Sequence, residues 1–113
     1  MTTPALTLNL SDGSVRFSFS IAAAEELQAS LSALKSQWQI ATAQGSPASR
    51  PGQLQPMEYR HTGEVFLEIF CNPNIWPSAF AARVLITLRD DRIRLTTEAT
   101  LSQLYEDICH YLE

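Results

Sequence analysis

Short motifs that identify an enzyme or a nucleotide-binding protein are missing from this sequence. It has no glycine-rich phosphate loop, no G-x-S-x-G and no H-E-x-x-H. Only 4 of the 113 residues are glycine, which argues against a backbone cradle for a nucleotide. We therefore expect a protein that is not an enzyme and that binds no cofactor.

Cysteine is also scarce, with Cys71 and Cys109 as the 2 residues of this type. They are too few for a disulfide framework, and no C-x-x-C pair suggests a zinc site, so we expect reduced thiols and no bound metal. A nucleophilic Cys71 would need a base within hydrogen-bond reach. His61 is expected at the opposite end of the same hairpin, so a buried structural Cys71 is favoured and a Cys71-dependent enzyme is the weaker alternative.

Long apolar runs and an excess of basic residues are absent as well. No run approaches the ~20 residues of a membrane-spanning helix, and no basic segment precedes an apolar run as in a signal peptide. The net charge of −4 and the pI near 5.1 argue against a dedicated nucleic-acid-binding protein. We expect a cytoplasmic or organelle-stromal protein without membrane insertion, for which nucleic-acid binding ranks last.

The clearest pattern that is present spans residues 6–38 and predicts a hairpin followed by a helix. Apolar residues alternate with polar ones, as on strands with one buried face, and Asp12-Gly13 favours a tight turn. The predicted cross-strand pairs are Leu10 with Val15, Leu8 with Phe17 and Leu6 with Phe19. Ser20 suits a helix N-cap, and the following apolar residues recur at helical spacing. This stripe consists of Ala24, Leu27, Leu31, Leu34, Trp38 and Ala41.

The middle of the chain combines a loop with a second hairpin. Residues 45–56 hold three prolines and two glycines and predict a flexible loop within one domain, with Gly45 ending the helix. Strands are expected at 57–60 and 64–71. A three-residue loop between them would pair Tyr59 with Val65 and Met57 with Leu67, leaving Phe66 and Phe70 on the opposite face.

The last third of the chain repeats the plan of the first. A hairpin with its turn at Asp90-Asp91 is expected to pair Leu88 with Ile93 and Ile86 with Leu95. Thr100 and Gln103 fit a capping box before a final helix. The apolar stripe of that helix consists of Leu101, Leu104, Ile108 and Leu112. Corresponding residues of the two hairpins are 78 positions apart (Leu6 and Val84, for example), which indicates either an internal ββα repeat or a coincidence of a common arrangement.

These patterns predict one α+β domain over residues 1–113. We expect an antiparallel sheet of five to six strands with both helices packed on one face. The predicted order of elements is ββα, then one strand or a hairpin, then ββα.

Two groups of residues are candidates for a binding surface. The first is aromatic and apolar, with Phe66 and Phe70 on the face away from the helices and the rest in the irregular segment 72–82; it consists of Phe66, Phe70, Ile75, Trp76 and Phe80. It predicts either an interface, including a homodimer, or a minor core beneath the segment.

The second group is basic and consists of Arg89, Arg92 and Arg94, with Arg83 nearby. On the expected hairpin Arg89 faces Arg92, and Arg94 faces Thr87. Opposed like charges cost stability, and an acidic partner would relieve that cost. A solvated edge neutralised by neighbouring aspartates is the other interpretation.

The leading hypothesis is a non-catalytic protein–protein interaction module that acts as an adaptor, an assembly factor or a small subunit of a larger complex. Its expected partner is a protein with an acidic surface. The alternative is a small-molecule or regulatory ligand-binding domain whose pocket lies under the 72–82 segment, lined by Phe70, Trp76 and Phe80.

Overall fold

A computed structural model describes residues 4–43 and 55–113, with side chains described for all of these except residues 40–43. Within these ranges the chain is α+β. The elements are β1 (Ala5–Leu10), β2 (Gly13–Ser18), α1 (Ile21–Ala43), β3 (Met57–His61), β4 (Phe66–Cys71), a 3₁₀ turn (Pro73–Ile75), β5 (Arg83–Arg89), β6 (Arg94–Thr100) and α2 (Leu101–Tyr111).

The first hairpin has the predicted buried face but a different register. Leu10 pairs with Gly13, so the connection is Ser11-Asp12, and the pairing expected between Leu10 and Val15 is wrong by two residues. Gly13 takes a φ of +149°, which only glycine adopts readily, and this allows the strand to begin directly after the turn. Because a shift of two residues preserves the face, the apolar residues still point to the core.

Helix α1 begins as the sequence predicts. The Ser20 hydroxyl accepts a hydrogen bond from the backbone N–H of Ala23 at 3.1 Å. The stripe from Ala24 to Trp38 is buried, which fixes the face that α1 turns to the core. The side chain of Ala41 and most of the predicted 45–56 loop, including Gly45, lie outside the described residues.

The other four strands form an antiparallel sheet in the order β3-β4-β5-β6. Tyr59 pairs with Ile69, so the predicted pairing with Val65 is wrong, and residues 62–65 make a four-residue connection in place of the expected three. The parity is nevertheless as predicted. Phe66 and Phe70 lie on the face opposite the buried Leu67 and Ile69.

The β5–β6 connection is also longer than predicted. Asp90 Oδ1 accepts hydrogen bonds from the backbone N–H groups of Arg92 and Ile93 at 2.8 and 2.9 Å, which closes a four-residue loop. Leu88 consequently pairs with Leu95 and not with Ile93. Ile93, expected on the core face, lies in the loop and is 63% exposed.

Helix α2 starts at the predicted cap, where Thr100 Oγ1 accepts from the backbone N–H of Gln103 at 3.1 Å. The side chain of Gln103 does not complete a capping box; it donates to Asp107 at 2.9 Å. Three residues of the predicted stripe are buried: Leu101, Leu104 and Ile108. Leu112 is half-buried against the same core.

The single shared sheet of the sequence prediction is not confirmed, because β1 and β2 form a separate two-stranded sheet. A backbone hydrogen bond from Ser11 N to Glu98 O, 3.2 Å long, joins the end of the first hairpin to β6. Both hairpins lead into helices, but their connections have two and four residues and their strands belong to different sheets. The order ββα therefore recurs, while a true internal repeat is not shown.

One core unites these elements. It is formed by the stripes of α1 and α2, the apolar face of the first hairpin and one face of the four-stranded sheet. The two helices also contact each other, since the Lys35 ammonium lies 4.0 Å from the centre of the Tyr105 ring. Tyr59 joins the larger sheet to α1 by donating to the carbonyl of Ala23 at 3.0 Å. The opposite face of the larger sheet lies away from this core.

Candidate partner-binding face

The side of the four-stranded sheet that points away from the core is called here the open face. The residues of this face are exposed or half-buried. They alternate with buried residues along β3, β4 and β5, and along β6 with the half-buried Leu95 and Thr97 and the buried Ala99. Its residues are Glu58, Arg60, Phe66, Glu68, Phe70, Arg83, Leu85, Thr87, Arg89, Arg94, Thr96 and Glu98. Because opposed residues in an antiparallel ladder share a face, the pairing of the strands arranges these side chains in rows.

A basic row lies at one end of the open face. Phe66 pairs with Arg89 across β4 and β5, and Arg89 pairs with Arg94 across β5 and β6. The guanidinium carbon of Arg89 lies 4.3 Å from the centre of the Phe66 ring, a cation–π contact that places the guanidinium group over the aromatic face. In the part of the chain that the structure describes, neither arginine has a carboxylate within salt-bridge distance.

The structure rearranges the arginine cluster expected from the sequence. Arg94 faces Arg89 and not Thr87, and Arg92 lies in the β5–β6 loop and not opposite Arg89. Arg92 is exposed there. Hydrogen bonds from the backbone N–H groups of Arg92 and Ile93 hold the pKa of the Asp90 carboxyl below its usual value, and the positive charge of Arg92 makes a smaller contribution. The open face thus carries two of the three predicted arginines.

The row next to the basic end consists of Arg60, Glu68, Thr87 and Thr96, so it holds one cation and one carboxylate. Arg60 Nε donates to Glu68 Oε2 at 2.6 Å, and a second nitrogen of Arg60 lies 3.5 Å from Glu58. Glu68 is followed across the sheet by Thr87 and Thr96, which carry no charge. This row therefore presents hydroxyls and an internally paired carboxylate.

An apolar row lies beyond it. Phe70 pairs with Leu85, and these side chains are 37% and 44% exposed. Sequence reasoning missed Leu85, although its place between the buried Val84 and Ile86 already puts an apolar side chain on the open face. Glu58 lies opposite Phe70 and Glu98 lies opposite Leu85, so a carboxylate stands at each end of this row. Arg83 lies 3.7 Å from Glu98, so the charge of Arg83 is also matched.

The segment between β4 and β5 divides the predicted aromatic group. Trp76 is half-buried and packs against the main core. Ile75 and Phe80 are 67% and 86% exposed, so the segment does not enclose them in the minor core that was the alternative expectation. Both follow the end of the sheet that carries Phe70 and Leu85, because this segment connects those two strands.

A cavity of about 230 Å³ occurs elsewhere, between the start of α1 and the β3–β4 connection. Its lining consists of Ser18, Phe19, Ser20, His61, Gly63, Glu64 and Val65. The His61 ring packs edge-on against Phe19 with centroids 5.2 Å apart, and the Ser20 hydroxyl already caps α1. This cavity is not the one expected under the 72–82 segment.

The environment of Cys71 matches that of a core thiol. Its side chain is 1% exposed, and burial raises the pKa of the thiol to about 11, so the thiol is protonated near neutral pH. His61 pairs with Leu67, four residues along β4 from Cys71, which separates the two by roughly 13 Å along the strand.

Among residues 4–39 and 55–113 no three histidine, cysteine or acidic side chains are grouped closely enough to hold a metal ion. None of the helices in the described ranges combines the length and the apolar character needed to cross a membrane.

Comparison with known proteins adds no family to this description. No family model matches the chain, and neither the curated proteins nor the solved structures include a significant match.

Proposed function

We propose that this protein is a non-catalytic interaction module, an adaptor, assembly factor or small subunit, that binds an acidic protein surface through the open face. The observation that carries the proposal is the opposed pair of Arg89 and Arg94, which lacks a carboxylate partner in the described residues while the other arginines of that face are paired. An acidic partner would complete this pattern of charges.

The energetic argument begins with the arginine pair. Side chains directly opposite in an antiparallel ladder have Cβ atoms about 5 Å apart, and like charges at that distance destabilise the sheet. A carboxylate between two guanidinium groups relieves the repulsion and accepts hydrogen bonds from both planar forks. Phe66 supports this role because it orients the guanidinium of Arg89 before any partner arrives.

The apolar row supplies the second half of the surface. Phe70 and Leu85 are opposed and partly exposed, with Ile75 and Phe80 in the adjoining segment. Aromatic residues and arginine are enriched at the centres of protein interfaces, and covering apolar surface is the main favourable contribution to association. Two copies of this chain could also supply this contact, so a homodimer is part of the test.

The cavity beside His61 favours a second candidate, a domain that binds a small regulatory ligand. Its volume of about 230 Å³ is below the ~300–1,000 Å³ of typical ligand sites. Ser18, His61 and Glu64 would provide polar contacts at its wall. We rank this function second because a carboxylate and a half-exposed histidine are the ordinary surroundings of a surface cleft.

The test compares capture of partners from the native host by the tagged wild-type protein and by the double variant Arg89→Glu with Arg94→Glu. This variant keeps two like charges opposite each other. The repulsion within the sheet is therefore preserved, while the sign of the charge on this part of the face is reversed. Arg16→Glu, on an exposed position of the first hairpin, is the control for a change of net charge.

We expect the wild type and Arg16→Glu to retain the same partner and the double variant to lose it. Equal recovery by all three folded proteins would contradict the proposal. Measuring the solution mass of each protein in parallel shows whether the partner is a second copy of the chain.

A further inference from the structure

From the rows of the open face we infer the form of the partner: an extended acidic segment whose acidic side chain and large apolar side chain are four residues apart. This inference rests on the proposed function and adds the spacing that the surface selects. An acidic side chain would meet Arg89 and Arg94, and the apolar one would meet Phe70 and Leu85.

The spacing follows from the register. Arg89 and Leu85 are four residues apart on β5, and Phe66 and Phe70 are four apart on β4. At ~3.3 Å per residue both separations are about 13 Å. An extended peptide has the same rise and presents alternate side chains on one side, so its residues i, i+2 and i+4 fall on the three successive rows.

The middle row determines what is accepted at position i+2. Glu68 lies there with Thr87 and Thr96, and its carboxylate is already paired with Arg60. A second carboxylate above Glu68 would be repelled, whereas a small polar residue can use the threonine hydroxyls. The surface therefore favours an acidic residue, a small polar residue and a large apolar residue at alternate positions.

The same row disfavours other occupants. A helix docks through a continuous apolar stripe, which would place apolar groups over Glu68 and its ion pair with Arg60. A single-stranded nucleic acid carries a phosphate at every nucleotide, while the unmatched arginines of the face, Arg89 and Arg94, stand at one end. An extended protein segment with its charge at one end avoids both conflicts.

The experiment measures binding of fluorescent synthetic peptides to the full-length protein by polarisation. One peptide carries an aspartate and a leucine four positions apart in an otherwise serine- and threonine-rich sequence, and a second has the reverse order. Further peptides place the two residues three positions apart, or replace the aspartate by asparagine. A deoxythymidine dodecamer is the nucleic-acid probe.

We expect one of the two orders with four-residue spacing to bind about tenfold more tightly than the three-residue spacing, in which the leucine points away from the sheet. Arg89→Gln with Arg94→Gln should reduce its affinity to that of the asparagine peptide, while Arg16→Gln should have no effect. Leu85→Ser should remove the preference for leucine and leave the preference for aspartate.

The other outcomes overturn the inference in distinguishable ways. Binding that needs the arginines but ignores spacing, or partner capture that is lost on charge reversal while no peptide binds, refutes the spacing and leaves the proposed function intact. Tighter binding of the dodecamer, or a dimer that the open-face variants dissociate, assigns the face to another occupant. Indifference of both capture and peptide binding to Arg89 and Arg94 refutes the spacing and the proposed function together.

Discussion

The carboxylate of Asp107 joins the first hairpin to the last helix, and we predict that its loss is among the most destabilising polar substitutions in this protein. Its Oδ2 accepts from the backbone N–H of Asn9 at 2.8 Å. Its Oδ1 accepts from the side-chain amides of Asn9 and Gln103, each at 2.9 Å. Asp107 is 8% exposed, so these donors replace most of the water that an ionised carboxylate would bind.

The expected loss of unfolding free energy follows from these three hydrogen bonds. A hydrogen bond to a charged group contributes roughly 1.5–3 kcal/mol when it is buried, and contributions within one group are not additive. Asn9 is itself exposed, so water replaces part of the hydrogen bonding that its side-chain amide would lose. Asp107→Asn turns one acceptor into a donor that faces a donor, and we expect a loss of about 2 kcal/mol, or about 8 °C in melting temperature for a domain of this size.

Urea unfolding followed by tryptophan fluorescence measures this loss, since Trp38 is 5% exposed and should report the opening of the core. Glu106→Gln is the control, because it removes a neighbouring carboxylate that is exposed on the same helix. A stability of Asp107→Asn within about 0.5 kcal/mol of the wild type, at an unchanged m-value, would show that the three hydrogen bonds do not hold the hairpin.

Three further predictions concern the backbone and the buried ionisable groups. Gly13→Ala should lower the free energy of unfolding by about 1 kcal/mol or more because alanine resists a φ of +149°. Gly63→Ala should cost less, because the φ of Gly63 is not positive and the new Cβ, 2.9 Å from His61 Nε2, requires only a shift of the ring that packs against Phe19; urea titrations compare the two variants. Iodoacetamide near neutral pH should modify the partly exposed Cys109 before Cys71, whose thiol pKa is raised to about 11; mass spectrometry gives the order. Burial also raises the pKa of Tyr59 to about 12. The stability that neutral Tyr59 and neutral Cys71 contribute is therefore complete below pH 9, the ordinary pKa of a thiol, and is lost as the pH rises towards 12. Combining Tyr59→Phe with Cys71→Ala should flatten this loss in alkaline urea titrations.

The sequence predicted which face of each strand is buried but not how the strands are paired. The predicted registers of the three hairpins are wrong by two, four and two residues, as Leu10 with Gly13, Tyr59 with Ile69 and Leu88 with Leu95 show. All three errors are even. A hydrophobic pattern with a period of two fixes only the parity of a register, so these errors leave every apolar side chain on its own face.

The hydrophobic pattern does not give the number of residues in each turn, which sets the register. A loop is closed by a few local hydrogen bonds, and these decide how many residues it contains. The Asp90 carboxylate binds two backbone N–H groups of the β5–β6 loop and thereby extends it to four residues. Asp-Asp alone does not distinguish this arrangement from a two-residue turn, because aspartate favours both.

Prediction of the candidate site depended on this same register. The sequence predicts the arginine cluster but the wrong opposed pair within it, because the predicted register pairs Leu88 with Ile93 and the structure pairs Leu88 with Leu95. The contact of Arg89 with Phe66 joins strands separated by the 72–82 segment, so no hairpin rule could place it. Similarly, a period-two pattern does not state which strands are neighbours, and the separation of β1 and β2 from the larger sheet could not be inferred.

Stability and binding should respond in opposite directions at the open face, and this gives the final prediction. Arg94→Glu replaces an opposed pair of like charges with an ion pair to Arg89, which should stabilise the sheet by a few tenths of a kcal/mol, less at high salt. The same change places a carboxylate where an acidic partner would bind, so capture of the partner should fall. A variant that is more stable in urea yet binds less cannot have lost binding through unfolding. If Arg94→Glu is instead less stable than the wild type, the opposed arginines do not repel each other, and the argument that an acidic partner relieves their strain fails.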